Sequence, residues 1–141
     1  MILSQCISLV ESNDNPDAIR FEPELYLNCP DWITNTISNI AEKNICSTDT
    51  AKMIACSSWG KYQILGANIY AQGFANNIMD FVFDGDQSQE TIFNKFITTD
   101  GFDWRDNLGT WSQEQFENFA RFYNGPGNFQ NYAAKMMEIT K

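Results

Sequence analysis

Histidine is absent from the chain, and this absence removes the side chain that most often serves as a catalytic acid or base. Ser-His-Asp triads, Cys-His pairs and the His-Glu-x-x-His zinc site are therefore excluded. Positive charge is scarce as well, because 9 Lys and Arg residues face 18 Asp and Glu residues, for a formal net charge of −9. A protein binds nucleic-acid backbone by replacing counterions with cationic side chains, so we expect no nucleic-acid partner. Any catalysis has to use carboxylates, tyrosine, amides, lysine or thiols.

Long apolar runs and closely paired cysteines are also missing. No stretch approaches the roughly 20 apolar residues that span a bilayer, and residues 2–10 lack the basic leader of a signal peptide. We therefore expect a soluble protein with no integral membrane segment and no signal peptide. No Cys-x-x-Cys spacing occurs, which argues against a zinc or redox motif. Three pairings into two disulfides are possible, but we favour free, mostly buried thiols at Cys6, Cys29, Cys46 and Cys56.

Apolar residues are abundant and recur at helical spacing. The 141 residues are 43% hydrophobic and 14% aromatic, which suits one monomeric domain over residues 1–141. We predict a mainly α fold with at most a short β-hairpin or extended segment near residues 18–26. The predicted helices lie within residues 2–10, 32–41, 51–55, 92–97, 116–123 and 129–137. Their predicted caps are Asp31, Ser47 or Thr48, Asp86, and Ser112 in a capping box with Gln115.

Glu11 is the leading candidate for a catalytic group. It follows the apolar stripe of the first predicted helix and lies near the C-terminal end of that helix. Partial desolvation and the negative end of the helix dipole both favour a protonated carboxyl. A carboxyl that keeps its proton near neutral pH can act as general acid on a glycosidic oxygen. The alternative is an ordinary solvated glutamate at a helix end.

Four short motifs occur in order along the chain: Val10-Glu11-Ser12, Phe21-Glu22, and the segments 58–68 and 119–127. Together they resemble the phage endolysin N-acetylmuramidases of the lysozyme-like superfamily, which share their motif order with lytic transglycosylases. In segment 58–68, Tyr62 and Leu65 replace the Phe and Met of the family pattern. The resemblance covers almost the whole chain, and it implies a lysozyme-like helical domain that acts on the glycan strands of bacterial peptidoglycan.

The resemblance also implies roles for three catalytic residues. Glu11 corresponds to the proton donor, Glu22 to the second acidic group, and Tyr123 to a hydroxyl that lines the same site. Alternation along residues 18–22 places Glu22 opposite Ile19 and Phe21, where it can face a cleft. Glu22 could instead be an exposed carboxylate or the ion-pair partner of a neighbouring arginine, and Tyr123 could be a core residue.

Residues expected to bind the substrate cluster around the third and fourth motifs. Ser57, Ser58 and Gln63 offer neutral donors and acceptors, and Trp59 and Tyr62 offer flat apolar faces for a sugar. The two aromatic residues could equally be packing around a turn. Asn124 is expected to stabilise the Gly125-Pro126-Gly127 turn and so to position the preceding tyrosine.

Two segments depart from known patterns. The family usually has a longer, glycine-rich loop before the second glutamate and basic residues after it, whereas this chain has the compact segment 12–17 and then Pro23-Glu24. The acidic segment 84–90 resembles a calcium loop, but Gln89 occupies its sixth position and Lys95 its twelfth, where glycine and glutamate are required. We therefore predict no metal and no cofactor.

Three activities remain open at this stage. The first is hydrolysis of the β-1,4 bond between N-acetylmuramic acid and N-acetylglucosamine, in which Glu11 donates the proton and Glu22 assists water or stabilises the transition state. The second is lytic transglycosylation, which leaves a 1,6-anhydro-muramic end. The third is a non-catalytic cell-wall-binding or virion component. In each case we expect a phage product that is made in the host cytoplasm and reaches the cell wall, or one carried by the virion.

Overall fold

The computed structural model of the chain describes residues 1–84 and 86–141. It is mainly helical, as predicted, with one small three-stranded sheet of strands β1 (Ile19–Phe21), β2 (Ser57–Trp59) and β3 (Ile64–Leu65). The helices are α1 (Leu3–Ser12), α2 (Pro23–Leu27), α3 (Asp31–Thr34), α4 (Ile37–Asn44), α5 (Thr48–Ala55), α6 (Gly66–Ala71), α7 (Ile78–Phe83), α8 (Asp86–Thr98), α9 (Gln113–Asn124) and α10 (Phe129–Ile139), with a 3₁₀ turn at Leu108–Thr110.

Local capping signals fix several helix ends where the sequence predicts them. Ser47 caps α5, because its Oγ accepts a hydrogen bond from the backbone N of Thr50 at 3.2 Å. The Ser112–Gln115 capping box begins α9, with bonds of 3.3 and 2.7 Å in the two directions. Gly125, at φ +91°, ends α9. Local chemistry is therefore enough to place these ends.

Other predicted boundaries differ from the structure. Residues 31–41 form two helices rather than one, and Pro30 is the N-cap of the first, so Asp31 is its first residue. Residues 18–26 are extended only as far as Phe21, because Pro23 begins α2, where its fixed φ favours the first helical position. The predicted capping side chain of Asp86 and the glycine at 85 within the segment 84–90 lie outside the described residues.

The sheet joins distant parts of the chain. Strand β2 lies in the middle and pairs antiparallel with both neighbours, with Arg20 opposite Ser58 and Trp59 opposite Ile64. The core packs against this sheet and includes Leu3 and Ile7 of α1, together with Phe93 of α8, Phe119 of α9 and Met136 of α10. All four cysteines are free, with Cys6 and Cys56 buried and the other two half-buried. Among the described residues, no helix has the length and apolarity to cross a membrane.

Candidate active site

Helix α1 brings Glu11 to the edge of the core. Its buried face includes Leu3, Cys6 and Ile7, and Glu11 follows in the last turn. The next residue, Ser12, donates a hydrogen bond from Oγ to the backbone O of Lys61 at 2.8 Å. This bond joins the end of α1 to the turn between β2 and β3, so the motif serine positions the glutamate relative to that turn.

The register of the sheet brings Glu22 to the same region. The backbone N of Glu22 donates to the O of Cys56 at 2.9 Å, which continues the pairing of β1 with β2. Residues two apart on a strand share a face, and Arg20 Nε lies 3.4 Å from Glu22 Oε1. A position in the cleft and an ion pair with a neighbouring arginine are alternatives for Glu22 from the sequence. In the structure Glu22 lines the cleft and also pairs with Arg20.

A cleft of about 220 Å³ lies between α1, the sheet and the end of α9. Every residue that lines it has a polar side chain: Glu11, Arg20, Glu22, Ser58, Gln63, Tyr123 and Asn124. Six of these seven are candidates from the sequence, and they come from four separate segments. The structure thus brings both glutamates and the motif tyrosine into one polar depression.

The turn between β2 and β3 has a backbone that only certain residues tolerate. Gly60 has φ +81°, and a Cβ at this position would stand 2.5 Å from Oε1 of the buried Gln89. Gln63 also has a positive φ of 52°, and its Nε2 donates to the backbone O of Ala18 and of Gly60 at 3.1 and 3.0 Å. Gln63 therefore lines the cleft and also holds the turn against the segment that precedes β1.

Tyr123 lines the cleft and is fixed by one hydrogen bond and by packing of its ring. Its hydroxyl donates to the backbone O of Tyr62 at 2.6 Å, and its ring stacks on Phe119 with centroids 5.4 Å apart. Burial raises the pKa of Tyr123 well above its usual value, and the nearby Glu11 raises it further. Tyr123 is therefore a neutral phenol whose proton is already donated, which leaves its oxygen as an acceptor at the site.

Burial dominates the electrostatics of Glu11. Desolvation raises its pKa from 4.5 to about 7, and the negative charge of Glu22 adds to the increase. Arg20, Lys135 and the hydroxyl of Tyr132 act in the opposite direction. The carboxyl therefore exchanges its proton near neutral pH, which is the property a general acid requires. Of the two causes expected from the sequence, desolvation and the helix dipole, desolvation is the largest cause in the structure.

Three predicted substrate-binding residues lie away from the cleft. Ser57 Oγ donates to the backbone O of Met53 at 2.7 Å, Trp59 is 8% exposed, and Tyr62 is 3% exposed. The Tyr62 ring stacks on Phe93 with centroids 4.1 Å apart. Side chains alternate between the two faces of β2, so Ser58 faces the cleft while its neighbours on both sides face the core. Both aromatic side chains are therefore packed in this structure, as the packing alternative expects, and their role in binding stays a prediction.

Arg20, Tyr132 and Lys135 were not among the predicted site residues. Arg20 could have been found, because strand alternation puts it on the same face as Glu22. Tyr132 and Lys135 lie on α10, and no sequence motif connects that helix with Glu11. Among the described residues, no group of three or more acidic or thiol side chains is placed to hold a metal ion.

This fold and site define a mainly helical, lysozyme-like domain in which a half-buried carboxyl and a second carboxylate share a polar cleft. The family model of the N-acetylmuramidases matches residues 41–141. The endolysin of Enterobacteria phage PRD1 is 37% identical to the chain over 133 residues, which cover 87% of this chain and 85% of that protein. The chain therefore belongs to the N-acetylmuramidase family, and its general activity is the hydrolysis of peptidoglycan.

The region matched by the family model includes only part of the cleft. It contains Ser58, Gln63, Tyr123 and Asn124, whereas Glu11, Arg20 and Glu22 precede it. No solved structure matches the chain. The roles of the two glutamates therefore depend on the geometry of the cleft.

Proposed function

We propose that residues 1–141 form one catalytic domain that hydrolyses the β-1,4 bond between N-acetylmuramic acid and N-acetylglucosamine, with Glu11 as general acid. The observation that carries this proposal is that the carboxyls of Glu11 and Glu22 line one polar cleft, and the raised pKa of Glu11 agrees with it. Cleavage of a glycosidic bond needs one proton donor and one group that assists water or stabilises positive charge on the sugar. Glu11 and Glu22 supply these two groups.

The reaction then follows from the positions of the two carboxyls. Glu11 gives its proton to the bridging oxygen, and the bond between that oxygen and the anomeric carbon breaks as the sugar gains oxocarbenium character. Glu22 accepts a proton from the attacking water, or it stabilises the positive charge while the water gives that proton to the Glu11 carboxylate. Water adds hydroxyl to the anomeric carbon, and the leaving sugar keeps the proton from Glu11. Ser58, Gln63 and Asn124 offer neutral hydrogen-bonding groups to the hydroxyl and acetamido groups of the sugar.

The decisive experiment replaces Glu11 by Gln, which keeps the size of the side chain and removes the acid. We expect the initial rate of turbidity loss of isolated cell walls to fall at least about 100-fold, since general acid catalysis contributes about 10²–10⁴. Glu24→Gln is the matched control, because Glu24 is exposed on α2 and does not line the cleft. Lytic activity retained in a folded Glu11→Gln protein would contradict the assignment.

The pairing of Glu22 with Arg20 favours lytic transglycosylation as a second candidate. The Arg20 guanidinium lies 3.4 Å from Glu22 Oε1 and competes with an attacking water for that oxygen, and a transglycosylase uses a hydroxyl of the muramic acid in place of water. Mass spectrometry of the digested glycan separates the two reactions, because an anhydro product is lighter by one water. Binding to cell walls without loss of turbidity would instead indicate a non-catalytic module.

A further inference from the structure

Helix α8 points the polar side chain of Gln89 into the core. Gln89 is fully buried, although glutamine is mostly a surface residue. It occupies the position at which a calcium loop needs glycine, and it is not among the residues that line the cleft. A buried amide needs hydrogen-bond partners, so the partners of Gln89 indicate its role.

The amide of Gln89 joins the turn between β2 and β3 to the loop that leads into β1. Its Oε1 accepts a hydrogen bond from the backbone N of Lys61 in that turn at 2.8 Å. Its Nε2 donates to the backbone O of Pro16 in that loop at 2.9 Å, and to the O of Val82 at 3.5 Å. One end of the amide therefore accepts and the other end donates.

Lys61 is the residue at which α8 meets the end of α1. Its backbone N is held by Gln89, and its backbone O accepts from Ser12 Oγ at 2.8 Å. Its Nζ lies 3.3 Å from Oε1 of Glu90, so two consecutive residues of α8 hold it. Ser12 directly follows Glu11. A displacement of the turn would therefore be passed to the last turn of α1, which carries the acid.

The same amide fixes the path of the turn towards Gln63. A Cβ at Gly60 would stand 2.5 Å from Gln89 Oε1, so the turn passes directly over this side chain. Gln63 lines the cleft and donates to the backbone O of Ala18 and of Gly60. Ala18 lies two residues after Pro16, the other partner of Gln89. The turn and the loop before β1 are thus joined twice, by Gln63 beside the cleft and by Gln89 in the core.

We propose that Gln89 is a positioning residue for the reaction, because its amide sets where the turn that carries Gln63 stands relative to Glu11. The inference rests on the proposed function, since it takes the cleft as the active site. Gln89 acts through Lys61 and Ser12 rather than on the substrate, because its side chain is buried and does not line the cleft. A misplacement of about 1 Å can cost about 100-fold in rate, so loss of these hydrogen bonds should lower the activity of folded protein.

Two substitutions of Gln89 test this role. Gln89→Met keeps the length of the side chain and removes both hydrogen bonds. Gln89→Glu restores them only when the new carboxyl is protonated, because a carboxylic acid can accept from the N of Lys61 and donate to the O of Pro16, whereas a carboxylate can only accept. Burial raises the pKa of such a carboxyl, so it is protonated at acid pH and becomes ionised as the pH rises.

The assay measures kcat/KM for cleavage of a soluble, uncrosslinked glycan of alternating N-acetylglucosamine and N-acetylmuramic acid. At pH 5 we expect Gln89→Met to lose at least about tenfold relative to the parent, and Gln89→Glu to keep at least about a third of the parental value. Relative to the parent, Gln89→Glu should then fall towards Gln89→Met as the pH rises to 9. Gln87→Glu is the matched control, because Gln87 is exposed on α8 and does not line the cleft.

Each rate is divided by the fraction of protein that is folded, measured by far-UV circular dichroism in the same buffer. A loss that disappears after this division would overturn the proposal, and so would complete unfolding of both Gln89 variants, because Gln89 would then serve folding alone. Gln89→Met within threefold of the parent, no rescue by Gln89→Glu at pH 5, or an equal change in Gln87→Glu would also overturn it. The proposed function fails on a different protein, since it is refuted if Glu11→Gln cleaves the glycan at the parental rate.

Discussion

The half-buried carboxyl of Glu11 should make the protein less stable as the pH rises. Its pKa is about 7 in the folded chain against 4.5 for the ordinary group, so the folded state holds the proton more tightly than the unfolded state. Stability is then fully present below about pH 4.5 and is lost as the pH rises through 7. A difference of about 2.5 pKa units at 1.36 kcal/mol each corresponds to a loss of about 3 kcal/mol.

Glu11→Gln isolates this effect, because the amide cannot ionise. At pH 4 the variant and the parent should have similar free energies of unfolding, whereas at pH 8.5 the variant should be more stable by about 3 kcal/mol. Urea unfolding of both proteins at pH 4, 5.5, 7 and 8.5 measures the difference directly, and titrating groups that do not interact with Glu11 cancel in the comparison. A difference that stays constant over this range would refute the desolvation argument.

The raised pKa of Glu11 should also appear in the pH dependence of activity. An acid that must carry its proton loses activity as the pH rises through its pKa, so the alkaline limb of kcat/KM should lie near pH 7. If Glu11→Gln removes activity and also raises the free energy of unfolding, then the fold holds the Glu11 carboxylate in an unfavourable environment for the sake of activity. Coincidence of the kinetic limb with the stability transition would assign both to Glu11.

Three further predictions concern the surroundings of the cleft. Lys135→Gln removes a charge that lowers the pKa of Glu11, so the alkaline limb of activity should move to higher pH, and a limb that stays in place would contradict that coupling. Gly60→Ala should lower the free energy of unfolding in urea by about 2–4 kcal/mol, because φ at Gly60 is +81° and the new Cβ would clash with the buried Gln89. Gly73→Ala is the control for the clash, because Gly73 also has a positive φ but has open space around it. Moderate salt should increase the initial lytic rate, because a chain of net charge −9 is repelled by anionic cell wall, and a steady fall in rate from very low salt would contradict this.

Patterns of short range allowed much of the fold to be predicted. The capping side chains of Ser47 and Ser112 act on amides three residues away. The alternation predicted for residues 18–22 agrees with a cleft that Glu22 lines and Ile19 does not. The break between α3 and α4 was missed, because helical apolar spacing continues across it. Helix α2 was missed because the residues before Pro23 are extended and the helix is only five residues long.

The site depended on contacts that no local pattern encodes. Ser57, Ser58 and Trp59 are adjacent, and only the pairing of β2 between two other strands decides which of them faces the cleft. Tyr132 and Lys135 approach Glu11 from more than 120 residues away in the chain. Residue type left Trp59 and Tyr62 open between sugar binding and packing, because an aromatic ring suits both, and the structure buries both side chains.

The amino-acid sequence alone determined that no histidine takes part in any chemistry here, that the chain is mainly helical, and where several helices begin and end. These properties depend on residue type and on neighbours within a few positions. Tertiary structure decided how strongly the Glu11 carboxyl is desolvated and which charges surround it. It also decided that a second cavity, lined in part by α10, lies beside this carboxyl. Desolvation and Coulomb interactions are set by atoms within a few ångströms, and at Glu11 those atoms come from α1, β1 and α10.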